Sequence, residues 1–425
     1  MEYKNLKFAN GVNLLLVPRK DTEVVTLLVY IGIGSRHEDL EVSGISHFLE
    51  HLLFDGTKKR PSAYNVSREI DALGASFNGL TTEELTYFYI KAGANHLDKI
   101  VDILSDMLLN SRCADDDIAK EKKVIIEEIK MYEDTPSDLV YDIFGEGIFA
   151  GNPLGRRIAG RRETISALDR EKIIDYQHKH YFGKNFYICV SGNFKEQEIG
   201  KIARMIEEKF ACPIKDYAEK ITSDFKQKRV EFLVSDTKQT NLIAGFYAPA
   251  FSSPERTAAR LLAIILGGNM SSRMFQEIRV KKGLAYFIRT IYHPFRDTGF
   301  MATHAGIAND KASEALSSIL NEYQRAEKDI TAKELKDAKN YLIGQIKIDL
   351  EDSQEIGYFY LNQLFYSGKI KTPREYLREI EKINVSDLKF LAKRYLIAEK
   401  LTVAAIGPEN VKKDIEKIIN SKKER

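Results

Sequence analysis

The sequence predicts an α+β fold of two tandem homologous domains, each a mainly antiparallel sheet with helices packed on one face. Three observations predict it. The chain has 425 residues, more than one hydrophobic core usually serves. It is 44% hydrophobic and 30% charged, an ordinary globular balance. The order of strand-like and helix-like runs occurs twice, with landmarks at near-constant offsets: Tyr181 and Tyr395 are 214 apart, Gly192 and Gly407 215 apart.

Along the first copy, short apolar runs at 12–17 and 24–30 read as strands, followed by a helix at 43–54 and a hairpin-like stretch through 85–91. Helical periodicity returns at 96–109, 115–132 and 170–181, and a strand at 186–190 leads to a turn at Gly192. The second copy repeats this with strands at 229–234 and 242–247, a helix at 254–266, a strand region opened by Gly283-Leu-Ala-Tyr286, helices at 311–325, 332–350 and 386–395, and a strand at 401–406 before Gly407. A polar segment at 213–228 reads as the linker between domains at 1–215 and 225–425.

Charge narrows the partners. With 64 basic and 62 acidic residues the net charge is +2, which favours neither nucleic acid nor an anionic membrane. No run approaches the ~18 apolar residues of a membrane span, and the opening Met-Glu-Tyr-Lys lacks the apolar core of a signal peptide. Cys113, Cys189 and Cys212 cannot all pair and form no Cys-x-x-Cys motif, so a reducing, cytoplasmic setting is expected.

The chemistry gathers on the 43–54 helix. Two of the eight histidines lie in His47-Phe-Leu-Glu50-His51. Residues four apart share a helix face, so both imidazoles can reach one ion, while Glu50 lies on the same side without binding it. A helix whose polar residues merely face water would carry the same letters. Its other positions, Ile45, Phe48, Leu49, Leu52, Leu53 and Phe54, are apolar, however, and polar groups in such company want a strong partner. Two histidines and a carboxylate would leave zinc an open position for a water of pKa ~7, whose proton a neighbouring carboxylate can take. The third ligand is expected on another helix, where Glu121 and Glu128, seven apart, share a face and Glu127 points elsewhere. The second copy's counterpart, Arg256-Thr-Ala-Ala-Arg-Leu-Leu, carries no histidine or carboxylate after Arg256, so the chemistry exists once per chain.

Together these residues resemble the inverzincin peptidases, the family of pitrilysin, insulin-degrading enzyme and mitochondrial processing peptidase, and in length its short two-domain, processing-peptidase-like branch. That family pairs His-x-x-Glu-His with a distal glutamate about 76 residues on, and here 76 residues, 52 to 127, separate His51 from Glu128. The resemblance implies His47, His51 and Glu128 as ligands of one Zn²⁺, Glu50 as catalytic base, and Glu121 as an assisting residue outside the ligand set. Gly74-Ala-Ser-Phe-Asn78-Gly-Leu-Thr81, followed by Glu84 and Thr86-Tyr87, resembles the family's edge strand beside the metal. The implied substrate contacts are Asn78, Gly79 and Leu80, with the peptide adding as a β-strand. Arg279 and Tyr286, seven apart in the second copy, match a family pair that holds substrate backbone and the tetrahedral oxyanion. Gly79 departs from the alanine common in relatives, which keeps the backbone role and loosens the strand.

A zinc-dependent endopeptidase acting on unfolded peptides is therefore expected. The family's large members place the two residue sets on opposite walls of a chamber built from four domains. A two-domain chain holding both is expected to form a homodimer, lending Arg279 and Tyr286 in trans. The same resemblance leaves a non-catalytic structural subunit, or one half of a heteromeric processing peptidase, as alternatives, and the ligand set would also accept manganese or cobalt.

Overall fold

The structure, a computed structural model, describes residues 2–211 and 225–421. Cys212 and residues 213–224 of the expected linker lie outside the described residues.

Runs of β-branched and aromatic residues build two sheets. The first contains β1 (Lys4–Lys7), β2 (Asn13–Pro18), β3 (Val24–Ile31), β4 (Ser76–Thr81), β5 (Thr86–Gly93) and β6 (Phe186–Gly192), in the order β1-β2-β6-β3-β5-β4. The second contains β7 (Val230–Val234), β8 (Gln239–Tyr247), β9 (Ala285–Pro294), β10 (Gly299–Ala308) and β11 (Thr402–Gly407), in the order β7-β11-β8-β10-β9. Each is mixed: β2 with β6 and β7 with β11 run parallel, and the remaining neighbours antiparallel. Without β1 the two orders superpose, β4 answering to β9 and β6 to β11. The α+β class and the repeat thus stand, with Gly192 and Gly407 closing equivalent strands.

Alternation along the strands sends side chains to two faces. In the first sheet Leu14, Leu16, Val25, Leu27, Val29 and Phe88 pack with helices Ile45–Phe54 and Leu97–Asn110. Leu15, Val17, Leu28, Tyr30 and Cys189 face the other way, against Ile356, Tyr360, Leu361 and Phe365 of helix Ser353–Ser367. The second sheet is likewise covered by helix Pro136–Ile148, whose Leu139, Val140, Phe144 and Ile148 meet Ile243, Ala302, Ala404 and Ile406. Helices on one face only are expected from the sequence, and neither of these two is among them. Strands buried on both faces read as unbroken apolar runs, which is how 14–17 and 27–31 read.

The compact units therefore interleave along the chain. One comprises Met1–Lys130, Arg156–Ile221 and Lys347–Thr372; the other comprises Met131–Gly155, Thr222–Ile346 and Pro373–Arg425. Each sheet comes from one of the expected stretches, 1–215 or 225–425, and each takes its covering helix from the other stretch. No helix among the described residues is long and apolar enough to cross a membrane.

Candidate metal centre

The helix carrying the histidines starts at a crowded point. Gly44 caps Ile45–Phe54 with φ +94°, and a Cβ there would stand 2.7 Å from the Ala159 carbonyl oxygen. Its first amides are held from a distance: Glu38 Oε2 accepts from the Gly44 N–H at 2.7 Å and Oε1 from the Ser46 N–H at 2.8 Å. Burial pushes Glu38 up to about 7 against the pull of those hydrogen bonds. Phe48, Leu49, Leu52 and Leu53 then bury in the core, which fixes the helix's rotation and leaves His47, Glu50 and His51 on its remaining side.

The partner helix, Asp115–Glu133, is anchored by Ile118, Ile125 and Ile129. Glu121 and Glu128 stand two turns apart, and Glu127 points away to Lys130 at 2.5 Å. Glu128 Oε2 lies 3.8 Å from His47 Nε2 and 3.5 Å from His51 Nε2, and these three residues form the one group of potential ligands found among the described residues. Ligands about 2.0 Å from a tetrahedral zinc stand ~3.3 Å from one another, so the separations fit an ion at the centre better than direct hydrogen bonds. On the far side of its ring, His51 Nδ1 meets Glu121 Oε2 at 3.1 Å. With the proton on Nδ1, Nε2 presents its lone pair toward Glu128 and His47. Glu121 is fixed in turn by Lys120, which bridges it to Asp55, both at 3.0 Å.

Burial and mutual charge set the protonation of these groups. Burial, aided by the charge of His51, pushes His47 down to about 3, so its imidazole is neutral and free to ligate. Burial raises Glu128, with His51 pulling back, and raises Glu50 against its hydrogen bond from Thr81. The His51 hydrogen bond lowers Glu121. Burial opposes charge on His51, but Glu121, Glu128 and Glu50 outweigh it.

β4 lies beside this helix at the end of its sheet, so its outer edge is open among the described residues. Asn78 and Leu80, the latter 46% exposed, face outward, while Gly79 and Thr81 turn inward. Gly79 has a local reason: a Cβ there would stand 3.0 Å from the Phe88 ring and 3.1 Å from Phe54, which occupy the space an alanine methyl would need. Sequence reading gave Thr81 no role, yet its hydroxyl donates to Glu50 Oε2 at 2.6 Å. The period-two alternation from Gly79 was the available signal; for Glu38, capping from outside the helix, none was.

Arg279 and Tyr286 belong to the second unit. Arg279 lies in the π-helical turn Phe275–Lys281, its guanidinium 4.7 Å from the Phe275 ring centroid, and Tyr286 lies near the start of β9. Tyr286 is 62% exposed, so it is no core residue of its strand.

Known proteins match along most of the chain. The family model described as insulinase, peptidase family M16, matches residues 14–162, and that described as the peptidase M16 inactive domain matches residues 167–342. An uncharacterized zinc protease of Rickettsia bellii is 34% identical over 414 residues, covering 95% of this chain and 97% of the relative. One of Bacillus subtilis is 32% identical over 404 residues, covering 94% and 97%. Among solved structures, a protease from Helicobacter pylori has TM-score 0.89 at 23% identity, covering 96% of this chain and 100% of that one.

Proposed function

The chain belongs to the insulinase (M16) peptidase family, and from that premise we propose that it is a zinc-dependent endopeptidase hydrolysing unfolded peptides in a chamber formed by two copies of the chain. The observation that carries this reading is the convergence of His47, His51 and Glu128, with the Glu50 carboxylate on the same helix. His47, His51 and Glu128 would hold the metal, one per chain. When bound, zinc supplies Lewis-acid polarisation of the scissile carbonyl and acidifies water.

The remaining steps belong to side chains and backbone. A peptide pairs with the open edge of β4 at Asn78, Gly79 and Leu80, a mode that tolerates many sequences because it uses main-chain groups. Glu50 takes the proton of the attacking water as its oxygen bonds to the scissile carbon. As the C–N bond breaks, Glu50 returns that proton to the departing amine nitrogen. Tyr286 of the partner subunit donates to the oxyanion, and Arg279 of the partner subunit holds substrate backbone.

Metal removal tests the enzyme: chelation should abolish peptide cleavage, and stoichiometric zinc should restore it. Subunit mixing tests the trans arrangement. Glu50→Gln and Tyr286→Phe chains, each inactive alone, should on mixing regain about a quarter of wild-type activity, since half the dimers then contain one intact site. No recovery in a demonstrably mixed dimer would refute sharing.

A further inference from the structure

We propose that Thr81 is a positioning residue for the catalytic base: its hydroxyl locks the Glu50 carboxylate to the strand on which the peptide is laid, so base and scissile bond take their register from one element. This rests on the endopeptidase reading above.

The Thr81 Oγ1–H donates to Glu50 Oε2 at 2.6 Å, and both residues are buried. A hydroxyl carries one proton, and this one is committed. The neighbouring hydroxyl, Thr86 Oγ1, is 3.4 Å away and directs its own proton to the Ile33 carbonyl at 3.0 Å, so it does not compete for Glu50. Thr81 and Thr86 are also backbone partners across β4 and β5, which ties the hydroxyl's position to the sheet. Glu50 Oε2 carries this hydrogen bond, which leaves Oε1 the freer of the two oxygens to receive the water's proton. Because residues 78–80 directly precede Thr81, a shift of β4 moves the bound peptide and the base together. Misplacing a catalytic group by about 1 Å costs ~10²-fold in rate.

The test compares Thr81→Val, which keeps shape and loses the O–H, with Thr81→Ser, which keeps the O–H and loses the methyl. Zinc content and Tm are measured for each. For Val, kcat should fall about 10- to 100-fold with KM within about twofold, and Ser should recover most of kcat. A Val variant with undiminished kcat, a loss confined to KM, or a Ser variant as slow as Val would overturn the proposal. A readout independent of turnover is a crystal structure of zinc-free Thr81→Val. There the Glu50 carboxylate should leave its place against position 81; an unmoved carboxylate would also overturn the proposal. If the zinc-loaded wild type cleaves no peptide, the endopeptidase reading fails by itself, and the crystallographic result still decides whether Thr81 fixes Glu50.

Discussion

The helix Ile45–Phe54 and its counterpart in the second unit follow equivalent strands, β3 and β8, yet carry different residues and different geometry. The first is α-helical throughout, so His47, Glu50 and His51 keep i, i+3, i+4 spacing on one side. The second runs Arg256–Ala263 and then widens into a π-turn at Ile264–Gly268, with Gly267 outside helical geometry and no histidine, cysteine or carboxylate along it. The partner helices diverge in the same sense. Glu128 waits between two imidazoles, whereas on Ala332–Asp349 Glu334 accepts from Nε and Nη2 of Arg273, at 2.6 and 2.9 Å. One scaffold thus tolerates two surroundings for a half-buried carboxylate: a guanidinium of the chain itself, or a pair of imidazoles.

The largest effect that would break this contrast lies in the ligands. His51→Ala should reduce bound zinc from about one per chain to near zero, read by elemental analysis, with cleavage lost; substitutions at Arg260 in the second unit should leave zinc untouched.

The half-buried His47 of the first unit, pushed down to about 3, has a buried counterpart in chemistry but not in place. His304, in the second unit, has Nδ1 3.1 Å from the Tyr141 hydroxyl and Nε2 without a partner among the described residues, and burial pushes it down to about 4. Its folded value lies below the unfolded ~6.5, so on acidification the unfolded chain takes up the proton first. The stability this residue contributes is present above about pH 6.5 and is lost as pH falls from there toward 4, to a total of about 3 kcal/mol at most. Denaturant unfolding of wild type and His304→Phe should therefore diverge within that window; parallel pH profiles would contradict the burial account.

Glu121→Gln sharpens the centre itself. Losing the charged acceptor that orients His51 should weaken zinc affinity about 10- to 100-fold, measured by competition with a chelator, without unfolding the helix. The smallest effect is expected at Gly79→Ala, where Phe54 and Phe88 must yield a few tenths of an ångström; a cost of about 1 kcal/mol should appear as a modest drop in Tm.

Much of this was legible because it is local. The i, i+4 histidines, the two glutamates seven apart and the alternating strands follow from periodicities of 3.6 and 2, and the repeat fixed the sheets twice over. What escaped were relations across the chain. Helices Pro136–Ile148 and Ser353–Ser367 cover sheets built from the other stretch, and no local period records which surface an apolar helix will meet. Thr81 reaches a carboxylate 31 positions earlier, and the Glu38 side chain caps a helix from outside it. Such contacts depend on where elements come together, which spacing alone does not encode.

Peptide hydrolysis with Glu50 as base is the proposed reaction. The most direct measurement is mass spectrometry of a mixed peptide pool incubated with zinc-loaded wild type and zinc-loaded Glu50→Gln. Wild type should make defined cleavages, which should fall by about 10²- to 10⁴-fold in the variant at equal zinc content. Equal cleavage by both, or none by either with zinc bound, would contradict it.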